Sequence, residues 1–151
     1  MGKPEGFEQT PKVPYIAVLE VNPGLADSDN ARLNFHAHLR ANPKALLLIA
    51  YATGGTPESL NPYIQEYTDK GIPVFLLSNN PGDDHGIREI TYGVQAEAAE
   101  AGAISLKDVN INSLQQVVRA IQDAAKAGLE GENLRKAIVG QFGMATAGSH
   151  E

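Results

Sequence analysis

The stretch that decides the fold reads Ala45-Leu46-Leu47-Leu48-Ile49-Ala50-Tyr51-Ala52, followed by Thr53-Gly54-Gly55-Thr56-Pro57. An apolar run with no alternation fits a strand buried on both faces, the signature of a parallel sheet with helices above and below it. The glycine pair then turns the chain. Thr56 can cap a helix with its hydroxyl, and Pro57 suits a first helical turn. Beyond it Leu60, Tyr63, Ile64 and Tyr67 share one helical face, and Gly71 closes the helix.

The same grammar repeats on either side. Upstream, Tyr15 to Val21 is a nearly continuous apolar strand closed by Asn22-Pro23-Gly24. A helix over Asn30 to Arg40 follows, with Ala31, Phe35, His38 and Leu39 facing inward and Asn42-Pro43 as its stop. Downstream, Pro73 to Ser78 is a third strand and Asn79 to Gly86 a loop. Tyr92 to Ala101 reads as a helix ended by Gly102, and Ala103 to Ser105 as a short fourth strand. Asn112 with Gln115 resembles a capping box ahead of a helix facing inward through Leu114, Val117, Val118 and Ile121. A last helix runs through Leu134, Ala137 and Ile138. Strands alternating with helices across short loops predict an α/β domain, a small four-stranded, mostly parallel sheet with helices on both faces, flavodoxin-like in build. The domain spans 15–142, between an N-terminal arm over 1–14 and a flexible tail over 143–151.

Composition narrows the function classes. The chain has 151 residues, with 12 Lys and Arg against 18 Asp and Glu, for a formal charge of −6. That balance disfavours binding to a phosphate backbone, so no nucleic-acid partner is expected. There is no cysteine, hence no disulfide and no thiolate chemistry. The longest apolar run is too short to span a bilayer, and Met1 to Gly6 leads into no apolar core of a signal peptide. A soluble chain is expected, cytoplasmic by default or part of an assembled particle. His36 and His38 are two apart and point to different sides of a helix, so neither a metal nor a cofactor is expected.

In order along the chain, Val18-Leu19 with Asn22-Pro23-Gly24, Leu48 to Tyr51 with Gly54 and Pro57, Gly71-Ile72-Pro73-Val74, Ser78, Tyr92-Gly93, Glu100-Ala101-Gly102-Ala103-Ile104, Asp108 and Leu114 resemble the C-terminal domain of the L-asparaginase family. That family includes the asparaginase-like subunit of archaeal tRNA-dependent amidotransferases. The resemblance implies an accessory domain, because the family's nucleophilic Thr, its Thr-Asp pair and its assisting Lys belong to the N-terminal domain. Thr53-Gly54-Gly55-Thr56 spells the nucleophile motif, yet by position it matches the glycine loop of the C-terminal domain. Pro57 also follows where the enzymes carry an apolar residue. Where the family commonly places an Asn that reaches an active site, this chain has Gly54-Gly55.

Ligands of parallel sheets sit beyond the carboxyl ends of the strands. Candidate ligand-binding residues are therefore Thr53, Gly54, Gly55, Thr56, Ser78, Asn79 and Asn80, with no catalytic residue among them. The stripe Leu134, Ala137, Ile138 and Phe142 is a candidate interface, on the reasoning that such a domain already has helices enough for both sheet faces. The leading expectation is a non-catalytic interaction or assembly subunit, a homo-oligomer or part of a larger particle. Two alternatives stand beside it: the C-terminal half of a split asparaginase or amidotransferase whose N-terminal half is a separate chain, and a small amino-acid sensor.

Overall fold

The computed structural model describes residues 14–21, 24, 27–50, 58–78, 89–90, 101–144 and 146–147. Strands β1 (Ile16–Glu20), β2 (Ala45–Ala50), β3 (Val74–Ser78) and β5 (Ala103–Asn110) form one parallel sheet in the order β1-β2-β3-β5. A two-residue strand, β4 (Glu89–Ile90), pairs with β6 (Thr146–Ala147) beside it. The helices are α1 (Ser28–Arg40), α2 (Asn61–Asp69), α3 (Leu114–Lys126) and α4 (Gly131–Phe142). Every residue of β2 and β3 is buried, which is why their sequences run apolar without alternation.

Side chains leave the strands alternately, and the two sheet faces carry separate cores. One holds Ala17, Leu19, Leu46, Leu48, Val74, Leu76 and Ala103 with Phe35 of α1 and Ile64 and Tyr67 of α2. The other holds Ile16, Leu47, Ile49, Phe75, Leu77 and Ile104 with Val117 and Ile121 of α3 and Leu134 and Ile138 of α4. On the first face the Tyr67 hydroxyl donates to the Phe35 carbonyl at 2.5 Å, locking α2 to α1. Burial, with smaller contributions from Tyr15 and Glu66, pushes the Tyr67 phenol well above its ordinary value of 10.0.

The α/β reading of the sequence holds. The strand order, however, climbs steadily, whereas flavodoxin reverses direction within its sheet. Right-handed crossovers in a steadily climbing sheet all fall on one side, and α1 and α2 accordingly share a face. The other face has only α3 and α4 to cover it among the described residues. This corrects the interface expectation: Leu134 is fully buried and Ile138 is 1 % exposed, both inside the chain's own core. Ala137 and Phe142 are half-buried, and Phe142 packs against the same core. The last helix is part of the fold.

Two local readings also change. The fourth strand continues past Ser105 to Asn110. The cap is Asn110, whose side chain accepts from the Asn112 N–H at 2.8 Å and opens the 3-10 turn Ile111–Ser113 ahead of α3. The helix expected over Tyr92 to Ala101 lies almost wholly outside the described residues.

Candidate functional site

The carboxyl ends of β3 and β5 gather the buried polar side chains of the sheet. Ser78 is 2 % exposed, Ser105 1 % and Asn110 3 %. Register brings them together: Leu76 pairs with Ser105, yet Ser78 pairs with Asn110, so β5 swells by three residues over that interval. The swelling tucks Leu106 and Val109 into the core below and returns Asn110 to the level of Ser78. By strand alternation Ser78 and Ser105 lie on the face that carries α1 and α2.

Asn61 opens α2, the helix that follows β2 in the chain. Its side-chain oxygen is buried with no hydrogen-bond partner among the described residues, a rare state for an acceptor. Ser78, Ser105 and Asn110 are all partnered, Asn110 in part through the Asn112 N–H. All four side chains are neutral: the hydroxyls and carboxamide at the ends of β3 and β5, and the Asn61 carboxamide at the start of α2, can orient a polar ligand or seal a turn. Activating a hydroxyl as a nucleophile needs an adjacent base, which none of these four supplies.

Of the candidate ligand residues, Ser78 stands in this cluster. Thr53, Gly54, Gly55, Thr56, Asn79 and Asn80 lie outside the described residues. Asn61 and Asn110 escaped the sequence reading. Asn110 follows Lys107 and Asp108, which break the apolar run, and Asn61 looks like any polar helix-start residue.

The histidines of α1 serve different neighbours. His36 Nε2 lies 3.0 Å from Glu66 Oε1, and His38 meets the Tyr15 hydroxyl. Among the described residues no group of three or more His, Cys, Asp or Glu could hold a metal, and no helix is long and apolar enough to cross a membrane.

No protein-family model matches the chain, and no curated protein sequence does. Solved structures do match. L-asparaginase I from Vibrio cholerae superposes with a TM-score of 0.63 at 19% identity, covering 83% of this chain and 36% of that one. The thermostable L-asparaginase from Thermococcus kodakarensis gives 0.65 at 22%, covering 89% and 38%. A probable cytoplasmic L-asparaginase from Campylobacter jejuni gives 0.57 at 14%, covering 85% and 35%. The chain thus spans little more than a third of the length of the enzymes it matches, and what it shares with them is the fold of one L-asparaginase domain.

Proposed function

We propose that this chain is a non-catalytic domain of the asparaginase C-terminal type that works by association, with a second copy of itself as its first partner. The observation that carries the non-catalytic half of the reading is the condition of the strand ends; association is the expectation carried forward from the sequence. Ser78, Ser105 and Asn110 are sealed from solvent and partnered, and Asn110 is committed to capping the entry to α3. Groups held in this way stabilise a turn. Ammonia release from asparagine and glutamine by the purified chain tests the catalytic half of the claim. None above the blank is expected, and release that scales with protein and disappears in Thr53→Ala would overturn it.

A second reading, an amino-acid-binding module, is favoured by the Asn61 oxygen. A buried acceptor without a donor is what the ammonium or amide of a bound amino acid would satisfy. A thermal-shift panel of amino acids separates the two. A saturable rise in midpoint that is lost in Asn61→Leu supports binding, and no rise at millimolar ligand removes it.

A further inference from the structure

At the opposite end of the sheet, where β2 and β3 begin, the structure has a cleft of about 700 Å³. That is the size of small-molecule sites, which run from about 300 to 1,000 Å³. Its floor is apolar, with Leu39 and Ile72 packed on the core behind and Pro43 buried. A hydrogen-bonded pair and an ion pair form its sides. His36 meets Glu66 at 3.0 Å, and Lys44 meets Glu130 at 3.5 Å. Arg40, at the end of α1, and Lys70, just past α2, stand on the rim without an ionic partner among the described residues.

Each of these two cations complements the carbonyl end of its own helix. Their convergence on one concave, apolar-floored cleft goes beyond that. The third positive contribution is the start of α4. Its N-cap residue, Glu130, makes no side-chain cap; the Asn133 amide donates to the Glu130 carbonyl at 3.2 Å, which leaves the Gly131 and Glu132 amides without a capping side chain. Glu132 is turned along the helix to Arg135, with contacts of 2.8 and 2.9 Å that hold its carboxyl below the usual range. Gly131 lines the cleft with its backbone, at a φ of +56° and with only the Gly71 carbonyl near its Cβ position. The lining therefore carries three permanent cations against two carboxylates, in a chain whose formal charge is −6.

We infer that this cleft binds a small organic dianion, with Arg40 and Lys70 taking the two charges, the α4 amides supplying further donors and Leu39 and Ile72 receiving the carbon skeleton. Guanidinium and ammonium groups on long, separate stems can reach two carboxylates or one phosphate monoester. The site is distinct from the strand-end cluster and does not depend on the proposed association.

Succinate and glycerol phosphate are the probes, titrated into the full chain by calorimetry and followed by amide chemical shifts. Saturable binding is expected for at least one of them, with shifts at Gly71, Gly131 and Glu132. The tighter of the two identifies a carboxylate or a phosphate site, and equal affinity means that charge alone is read. Arg40→Gln or Lys70→Gln should weaken binding by about tenfold or more, the scale of one charge-assisted hydrogen bond. Glu130→Gln removes a rim carboxylate and should tighten it. All three side chains are exposed, so the variants keep the fold, and unchanged thermal midpoints verify this. No saturable binding of either probe into the millimolar range overturns the inference. So does equal affinity across the three variants, or shifts confined to the carboxyl end of the sheet.

Discussion

Leu48→Ala and Leu33→Ala are the same chemical change at two sites the structure places at opposite extremes. Leu48 is fully buried in the second strand of the sheet, flanked in register by Leu19 on β1 and Leu76 on β3, and it shares a core with Phe35, Ile64 and Tyr67. Strands hold it on both sides and helices cover it, so the space left by three carbons cannot collapse. The upper half of the usual Leu→Ala range applies, about 3–5 kcal/mol. Leu33, on the outer face of α1, is 63% exposed. Its truncation forfeits little burial and gains slightly in helix propensity, and should stay within about 0.5 kcal/mol. With a urea slope of roughly 2 kcal/mol/M, the Leu48 variant should lose about 1.5–2.5 M in midpoint and the Leu33 variant almost nothing. Equal shifts for the two variants would refute the core assignment, and with it the register of the sheet.

Further expectations follow from single contacts. Gly102→Ala should cost about 2 kcal/mol or more, because a Cβ there would sit 2.6 Å from Thr68 Cγ2 at a φ of +110°; Thr68→Ala should recover part of that loss in a double-mutant cycle of thermal midpoints. Asn110→Ala should cost about 1–2 kcal/mol and speed hydrogen exchange at the Asn112 amide, which loses its acceptor. Tyr67→Phe should cost about 1 kcal/mol in urea unfolding, because the Phe35 carbonyl loses its hydroxyl donor and keeps only the amide of its own helix. Because the folded phenol of Tyr67 is raised above the unfolded value of 10.0, its contribution is whole below about pH 10. It falls as pH climbs from there toward the folded value, since only the unfolded chain then releases the proton. An absorbance titration of the native protein should show one of the five tyrosines resisting ionisation until the chain unfolds.

What was legible in the sequence was whatever a continuous apolar run or a helical stripe encodes. Ala45 to Ala50 and Val74 to Ser78 announce themselves because burial on both faces removes every polar residue before the strand ends. Gly102 was readable as a stop, but its reason, the Thr68 side chain 34 positions earlier, is tertiary. β5 was cut short because the swelling opposite Leu76 and Ser78 destroys the period of two, and Lys107 then faces solvent inside a strand. The stripe of Leu134 and Ile138 was visible, but its destination was not. Whether crossover helices cover one face or both depends on strand order, and periodicity carries no information about order. At the site, Ser78 was found because it ends an obvious strand. Asn61 and Asn110 matter through burial, which polar residues do not advertise.

The most direct measurement of the central claim is the mass of the purified chain in solution, by light scattering after size exclusion across the micromolar range. The Leu134 and Ile138 side chains belong to the core, so a charge placed at either position would unfold the protein rather than probe an interface. The wild-type mass must answer alone. A domain that works by association with its own copies should elute at twice the chain's 16.1 kDa or more, dissociating only on dilution. A mass of one chain at every concentration would contradict the proposal.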